Sequence, residues 1–432
     1  MNGNFSKIMN EVPIPLFRRY NIFTGTNNWS EWRSELKYYL KRKIPDVSDS
    51  KLISEYEKQF AERVGADYAF GFAAGRMGLY AILEALGVGQ GDEVIIPAFT
   101  CVVVPNAIIY RKATPVYVDI DPNTFNINVS QVEKKITSKT RALYAQHTFG
   151  LICDIEGLNA LGLKYQIPVI EDGAHALGAS WKGAAVGALS DVAFFSTDHS
   201  KMINTMYGGM VTTNNKSLAE RLRSSYEKSP SLSSQQQKQI CRTFLVEFPL
   251  FRSSIYWLGW FIFKLFCKMG MIFAFEDELK IQKPTDYPYP AKLCGFQARL
   301  GISQLKKLEN NLAHRRELGK ILEKRFHWLN KKLLNDFSNH SFLRYSFLVK
   351  DRSQFMRCFR TNFDLGIWFR SIAHGRESSF DQISYNANSC PVAEEVAKYI
   401  VNFPTHEKIN KGFLLNKINK SFDQIVSNIR RY

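Results

Sequence analysis

The sequence is short of acid. Its 40 Asp and Glu stand against 57 Lys and Arg, a formal net charge of +17 at pH 7. A basic balance suits nucleic acid, an anionic membrane or a phosphorylated substrate, and by itself does not choose among them. The motifs that read DNA or RNA are absent, so no nucleic-acid partner is expected. Cysteine is scarce: Cys101, Cys153, Cys241, Cys267, Cys294, Cys358 and Cys390 are scattered, odd in number and never spaced C-x-x-C. That argues against a disulfide framework and against a zinc site, and no metal is expected. The N-terminal stretch "MNGNFSKIMNEVPIPLFRRY" lacks the apolar core of a secretory signal, so the expected location is cytoplasmic. There is no Walker motif. "GVGQG" (87–91) follows a helical pattern and precedes a strand, the reverse of a dinucleotide fingerprint. No internal repeat is apparent.

What is present is alternation. Short β-rich runs read as buried strands: "EVIIP" (93–97), "PVYVDI" (115–120), "ALYAQH" (142–147), "PVIED" (168–172), "VAFFS" (192–196) and "GMVTT" (209–213). Helical patterns lie between them near 76–86, 101–111, 130–137 and 155–165, the third opening with a capping-box spacing at Ser130 and Glu133. Strand and helix in turn imply an α/β domain with a mostly parallel sheet. Ligands of such sheets bind at the carboxyl ends of the strands. That rule selects Asp172, after "PVI", and Lys201, in the turn after "VAFFS".

Lys201 is one of many basic residues, and solvent is its default place. Its neighbours in the pattern argue otherwise. "GFAAGRMGLYAILEALG" (71–87) opens a helix near Gly75 with small residues, leaving N–H groups free to meet a phosphate. A phosphate cradle, a carboxylate at one strand end and a lysine after the next match the needs of pyridoxal phosphate. The lysine forms an imine with the aldehyde, and the carboxylate keeps the pyridine nitrogen protonated.

At these residues the chain resembles the DegT/StrS-type sugar aminotransferases, pyridoxal-phosphate enzymes of the aspartate-aminotransferase-like type I fold. The similarity runs through "GDEVIIPAFTCVVVPNAI" (91–108), "ATPVYVDIDPNTFNI" (113–127), "HTFG" (147–150) and "VIEDGAHALGASWKGAAVGALSDVAFFSTDHSK" (169–201). It continues more loosely in "GFQARLGISQLKKLENNLAHRR" (295–316) and "NFPTH" (402–406). The resemblance implies a fold with a large sheet domain and a smaller C-terminal α+β domain. It implies that Lys201 is the imine lysine, that Asp172 pairs with the pyridinium nitrogen and that His175 lies against the ring. Ser196, Gly75 and Arg76 would hold the phosphate. His199 matches no fixed family residue and is expected to be structural or solvent-facing. The implied reaction carries an amino group from an amino acid, glutamate in most relatives, to a keto-sugar linked to a nucleotide. The product would serve polysaccharide or other glycan synthesis, and the site would form within a homodimer.

The chain departs from the family pattern at several places. Ala74–Arg76 stands where Ser-Gly-Thr is usual. Cys101 takes the place of an aromatic that stacks on the cofactor. Tyr207 replaces an acid before the Gly-Gly pair, and Pro290 and Lys292 replace an Asn and an Arg that reach the partner subunit's site. Two other readings therefore stay open: a cofactor-dependent sugar dehydratase, which Lys201 opposes, and a non-catalytic or regulatory protein of the same fold. The expected organisation is an N-terminal arm (1–45), a large cofactor-binding domain (46–215), an insertion with an apolar helical segment (216–290) and a small C-terminal domain (291–432). The insertion turns aromatic over "FPLFRSSIYWLGWFIFKLFCKMGMIFAFEDE" (248–278), where Lys264 and Lys268 share one helical face amid Trp257, Trp260, Phe261, Phe263, Phe266 and Phe273. The expectation is a peripheral contact with an anionic membrane surface.

Overall fold

The computed structural model describes residues 20–23, 25–41, 50–275, 279–326, 339–359, 362–421 and 427–430. Most of the expected N-terminal arm before Tyr20, residues 42–49, the side chain of Trp257 and residues 276–278 lie outside the described set.

Seven strands form the central sheet: β1 (Tyr68–Phe72), β2 (Glu93–Pro97), β3 (Thr114–Val118), β4 (Thr140–Gln146), β5 (Val169–Asp172), β6 (Val192–Ser196) and β7 (Gly209–Thr213). Their spatial order is β1-β7-β6-β5-β4-β2-β3. Only β7 is antiparallel to its neighbours. The strand runs expected from sequence fall on six of the seven. β1, "YAFGF", has no expected counterpart. Its neighbour β7 runs antiparallel to it, with Tyr68 opposite Thr213 and Phe72 opposite Gly209.

Alternation sorts the strand residues between two cores. Phe194, Tyr144, Ile96 and Val211 pack on one face under the helices Gly75–Ala85 and Val103–Tyr110. Phe195, Leu143, Ile95 and Met210 pack on the other, under Ser50–Val64 and Ile155–Tyr165. With both faces covered, the strands can be apolar throughout, which is why they read as continuous runs. A third core, around Phe326, Phe347, Phe355 and Phe403, belongs to the C-terminal part, where Arg344–Leu348 pairs antiparallel with Ile400–Pro404.

The capping box expected at Ser130 is not formed. The helix Val129–Val132 starts one residue earlier, and its cap is Asn128, whose Oδ1 accepts from Ser130 N–H at 3.2 Å and from Ser130 Oγ at 2.7 Å. Asn competes well for this place because its carbonyl reaches the free N–H groups of the first turn.

The stretch expected as an insertion (216–290) holds three helices among its described residues, Lys216–Lys228, Ser234–Leu250 and Tyr256–Lys268; the aromatic part lies in the last two. Phe244 and Phe248 of Ser234–Leu250 enter the main core. In Tyr256–Lys268, Trp260 and Phe263 turn inward onto Phe251, each with its ring centre 5.0 Å away. Phe273 is buried. The aromatic set around the lysines is thus largely consumed by internal packing. The face left in solvent carries Leu258, Phe261, Leu265 and Met269, with Phe261 69% exposed. Among the described residues, no helix is long and apolar enough to cross a membrane.

The Gly-Gly pair at the start of β7 is a steric requirement. Gly208 has φ +102°, a left-handed conformation that favours glycine. A Cβ on Gly209 would lie 2.5 Å from Gly75 N and Cα. Gly209→Ala is therefore expected to force the strand off the helix start. Overpacking of this kind costs about 1–3 kcal/mol. A lowered Tm, read by calorimetry, together with weaker phosphate binding checks it.

Candidate active site

Four parallel strands and the turns that leave them deliver side chains to one edge. β4 ends at Gln146, β5 at Asp172 and β6 at Ser196, while β2 leads through Pro97 to Cys101. The antiparallel β7 starts there, so Gly208 and Gly209 close against Gly75. A cavity of about 370 Å³ opens at this edge. Lys201, Asp172, His175, Ser196, Gly75, Arg76 and Cys101 all line it.

The turn that carries Lys201 is tightly specified. Thr197 N–H donates to Gly208 O at 2.9 Å, Thr205 N–H to Thr197 O at 2.8 Å and Lys201 N–H to Asp198 O at 2.9 Å. The ammonium of Lys201 lies 4.8 Å from the centre of the Trp368 ring. Burial lowers its pKa, with Asp198, Cys101 and Asp172 opposing the shift and Arg344 adding to it. A lysine so placed gives up its proton more readily than one in water.

Asp172 is held by two donors. Tyr144 Oη donates to Oδ2 at 2.6 Å, and Ala174 N–H donates to Oδ1 at 2.9 Å. Burial raises its pKa, and these bonds together with Lys201 and His147 work against that. His175 is packed between aromatic rings: Phe149 at 5.9 Å, Trp368 at 5.5 Å and Phe369 at 6.0 Å, all stacked. Its Nδ1 accepts from Phe149 N–H at 3.3 Å. Burial, Lys201 and Arg344 hold its pKa well below the ordinary value. The ring is therefore neutral, and the acceptor role of Nδ1 assigns the proton to Nε2.

At the other end of the cavity the helix Gly75–Ala85 begins with no side-chain cap. Gly75, Arg76 and Ser196 line the cavity there, a set whose N–H groups, hydroxyl and positive charge can meet an anion. A Cβ on Gly75 would meet Ser196 Cβ at 3.0 Å and Phe195 O at 3.1 Å, so the close approach of helix start to strand end needs glycine. These residues fit pyridoxal phosphate: an anion cradle at one end, a buried carboxylate at the other, and a buried lysine beside an aromatic slot.

His199 falls on the structural side of its expected role. It lines the cavity, meets Phe23 edge-on at 4.5 Å, and lies 3.4 Å from Glu247 and 3.6 Å from Asp198. Burial would lower its pKa, but Asp198 and Glu247 outweigh burial and raise it to about 9. Glu247 comes from the inserted helix, so the insertion forms part of the active-site surround. Trp368, Phe369 and His374 also line the cavity without having been expected. They arrive from the C-terminal part through Ala373–His374, which pairs parallel with Thr100–Cys101. Phe99 does not line the cavity; it packs behind its wall on Phe369 at 5.0 Å and against Phe125 and Phe149. Tyr207, in the place of the family's acid, donates from Oη to Phe273 O of the insertion at 2.8 Å.

Comparison with known proteins gives a consistent result. The model of the DegT/DnrJ/EryC1/StrS aminotransferase family matches residues 43–416. GDP-perosamine synthase of Caulobacter vibrioides is 41% identical over 176 residues, 41% of this chain and 47% of that protein. The dTDP-3-amino-3,6-dideoxy-alpha-D-galactopyranose transaminase of Aneurinibacillus thermoaerophilus is 43% identical over 171 residues, 39% of this chain and 47% of that protein. The chain thus spans about half the length of these two curated relatives. In fold it is similar to the putative sugar aminotransferase Spr1654 of Streptococcus pneumoniae in its PLP form, with a TM-score of 0.71 and 18% identity over 94% of this chain and 98% of that one.

Tyr144→Phe removes one of the two donors to Asp172 and leaves the ring in place. The remaining carboxylate is less firmly oriented, and kcat is expected to fall about 10-fold, the scale of one hydrogen bond to a charged group. Steady-state kinetics with unchanged Tm checks this.

Proposed function

This chain belongs to the DegT/DnrJ/EryC1/StrS aminotransferase family, and on that premise we propose that it carries an amino group from glutamate to a keto-sugar linked to a nucleotide. The cofactor is pyridoxal 5'-phosphate. The observation that carries this reading is the convergence of Lys201, Asp172, His175 and the Gly75 helix start on one cavity. The names of the two relatives, which denote a GDP-linked and a dTDP-linked sugar, support a nucleotide-linked substrate.

Bound cofactor supplies an electron sink for the carbon that loses its proton. The chain does the rest. Lys201 Nζ would hold the cofactor and would serve as the base that takes and returns the proton. The depressed pKa suits it to that task at neutral pH. Asp172 would pair with the ring nitrogen of the cofactor and keep it protonated. Neutral His175 would have Nε2–H to donate to the cofactor. Ser196, Arg76 and the N–H groups at Gly75 hold the phosphate, and Cys101 lies where relatives stack an aromatic. Trp368 and Phe369 keep water from the reacting atoms.

The chain divides, in this reading, into an arm (1–45), the cofactor domain (46–215), the insertion (216–290) and a small domain (291–432). It works as a homodimer, and its product feeds glycan assembly. It sits in the cytoplasm, held peripherally at a membrane by the insertion. The helix Tyr256–Lys268 supports this placement: Leu258, Phe261, Leu265 and Met269 lie at helical spacing on its exposed face, with Lys264 and Lys268 beside them. Apolar residues flanked by lysines suit an anionic bilayer surface.

Lys201→Ala is expected to abolish transamination while the protein stays folded. The assay follows 2-oxoglutarate release from glutamate across a panel of nucleotide-linked keto-sugars. In the wild type, rate should fall as pH drops through the lowered Lys201 pKa, since protonation removes the base. A wild type inactive on every sugar, or a Lys201→Ala variant that still turns over, rejects the reading.

For the membrane contact, wild-type protein should float with phosphatidylglycerol-containing liposomes, and the triple variant Leu258→Ser, Phe261→Ser, Leu265→Ser should not. If neither floats and the variant alters the dimer in light scattering, the face is a subunit contact instead.

A further inference from the structure

Arg344 is a buried cation that the mechanism above does not use. It opens the strand Arg344–Leu348 of the C-terminal part and is 2% exposed. Its Nη2 is buried and has no hydrogen-bond partner among the described residues. Its guanidinium carbon lies 5.0 Å from the centre of the Trp368 ring, the same ring that Lys201 approaches to 4.8 Å. Trp368 in turn is a wall of the catalytic cavity and stacks on His175. Arg344 itself lines a second, small cavity with Thr148, Phe149 and Ser346, while its charge is felt by both Lys201 and His175.

Burying a guanidinium nitrogen such as Nη2 without an acceptor is costly. Asp364 acts on it only at longer range, and burial lowers its pKa to about 10, which still leaves it charged at neutral pH. The other cations near the reaction centre are engaged: Arg76 stands at the phosphate end, and His199 is paired with Glu247 and Asp198. Lys292 is committed to contacts within its own chain. Its Nζ donates to Glu227 O at 3.1 Å and lies over the Tyr226 ring at 5.3 Å. The amino donor, a dicarboxylic acid in the reading above, needs a cation for its carboxylate close to Lys201.

Resting on that reading, we propose that Arg344 binds a carboxylate of the amino donor, at the edge of Trp368. The planar guanidinium offers paired N–H donors to the two oxygens, a match that lysine cannot reproduce.

The test compares wild type with Arg344→Gln and Arg344→Lys. In the holoenzyme, Arg344→Gln is expected to raise the KM for L-glutamate about 10- to 100-fold, the range of a lost hydrogen bond to a charge. The KM for the keto-sugar should change less than about twofold, since the lost contact is to the donor alone. Arg344→Lys, which keeps the buried charge and protects the fold, should fall between. Calorimetric binding of 2-oxoglutarate to the same three proteins should weaken in the same order. An unchanged glutamate KM and unchanged 2-oxoglutarate affinity in Arg344→Gln overturns the proposal, as does an equal rise in both KM values. If the wild type transaminates nothing, the aminotransferase reading fails, and the 2-oxoglutarate titration still decides whether Arg344 is a carboxylate site.

Discussion

Two glycines in backbone contact hold the site together. Gly209, the first residue of the one reversed strand, lies so close to Gly75 that a single methyl group between them would sit 2.5 Å from the helix backbone. That contact sets the helix start beside the end of β6, and the turn after β6 carries Lys201. The anion end and the lysine end of the cavity thus keep a fixed separation, imposed by main chain rather than by flexible side chains. Catalysis that depends on positioning gains most from supports of this kind.

Charge is arranged around that frame with little slack. Lys201 is surrounded by Asp172, Asp198 and Arg344, and burial decides the direction of its pKa. Asp172 would also lose its charge to burial were it not for Tyr144, Ala174 and the cations nearby. The surplus of base in the composition is therefore not all surface. Arg344 and Arg315 are both buried in the C-terminal part, and each has its pKa lowered by burial. The insertion joins this network through Glu247 and the bond from Tyr207 to Phe273. The helix Ser234–Leu250 and the segment after it are thus part of the active-site surround.

Much of this was legible in the sequence, for definite reasons. Buried parallel strands leave apolar runs, so "EVIIP", "VAFFS" and "GMVTT" were found at their observed bounds. The strand-end rule assigns Asp172 and Lys201 to one edge, where both line the cavity. What the sequence hid depends on contacts between distant segments. Nothing local ties His199 to Glu247, nor Cys101 to His374, because those pairs are made by packing. The capping-box pattern at Ser130 misled because Asn128, two residues earlier, makes the better cap. In the insertion, composition announced an apolar helix but could not say which face it buries. Phe251 decides that by taking Trp260 and Phe263, which leaves Leu258, Phe261, Leu265 and Met269 outside.

The account stands on Lys201 as the residue that holds the cofactor. Reducing the protein with borohydride after loading with pyridoxal 5'-phosphate, and then mapping the peptides by mass spectrometry, tests that directly. The account predicts a single pyridoxyl-modified lysine at position 201. Modification at another lysine, or none at all, would contradict it.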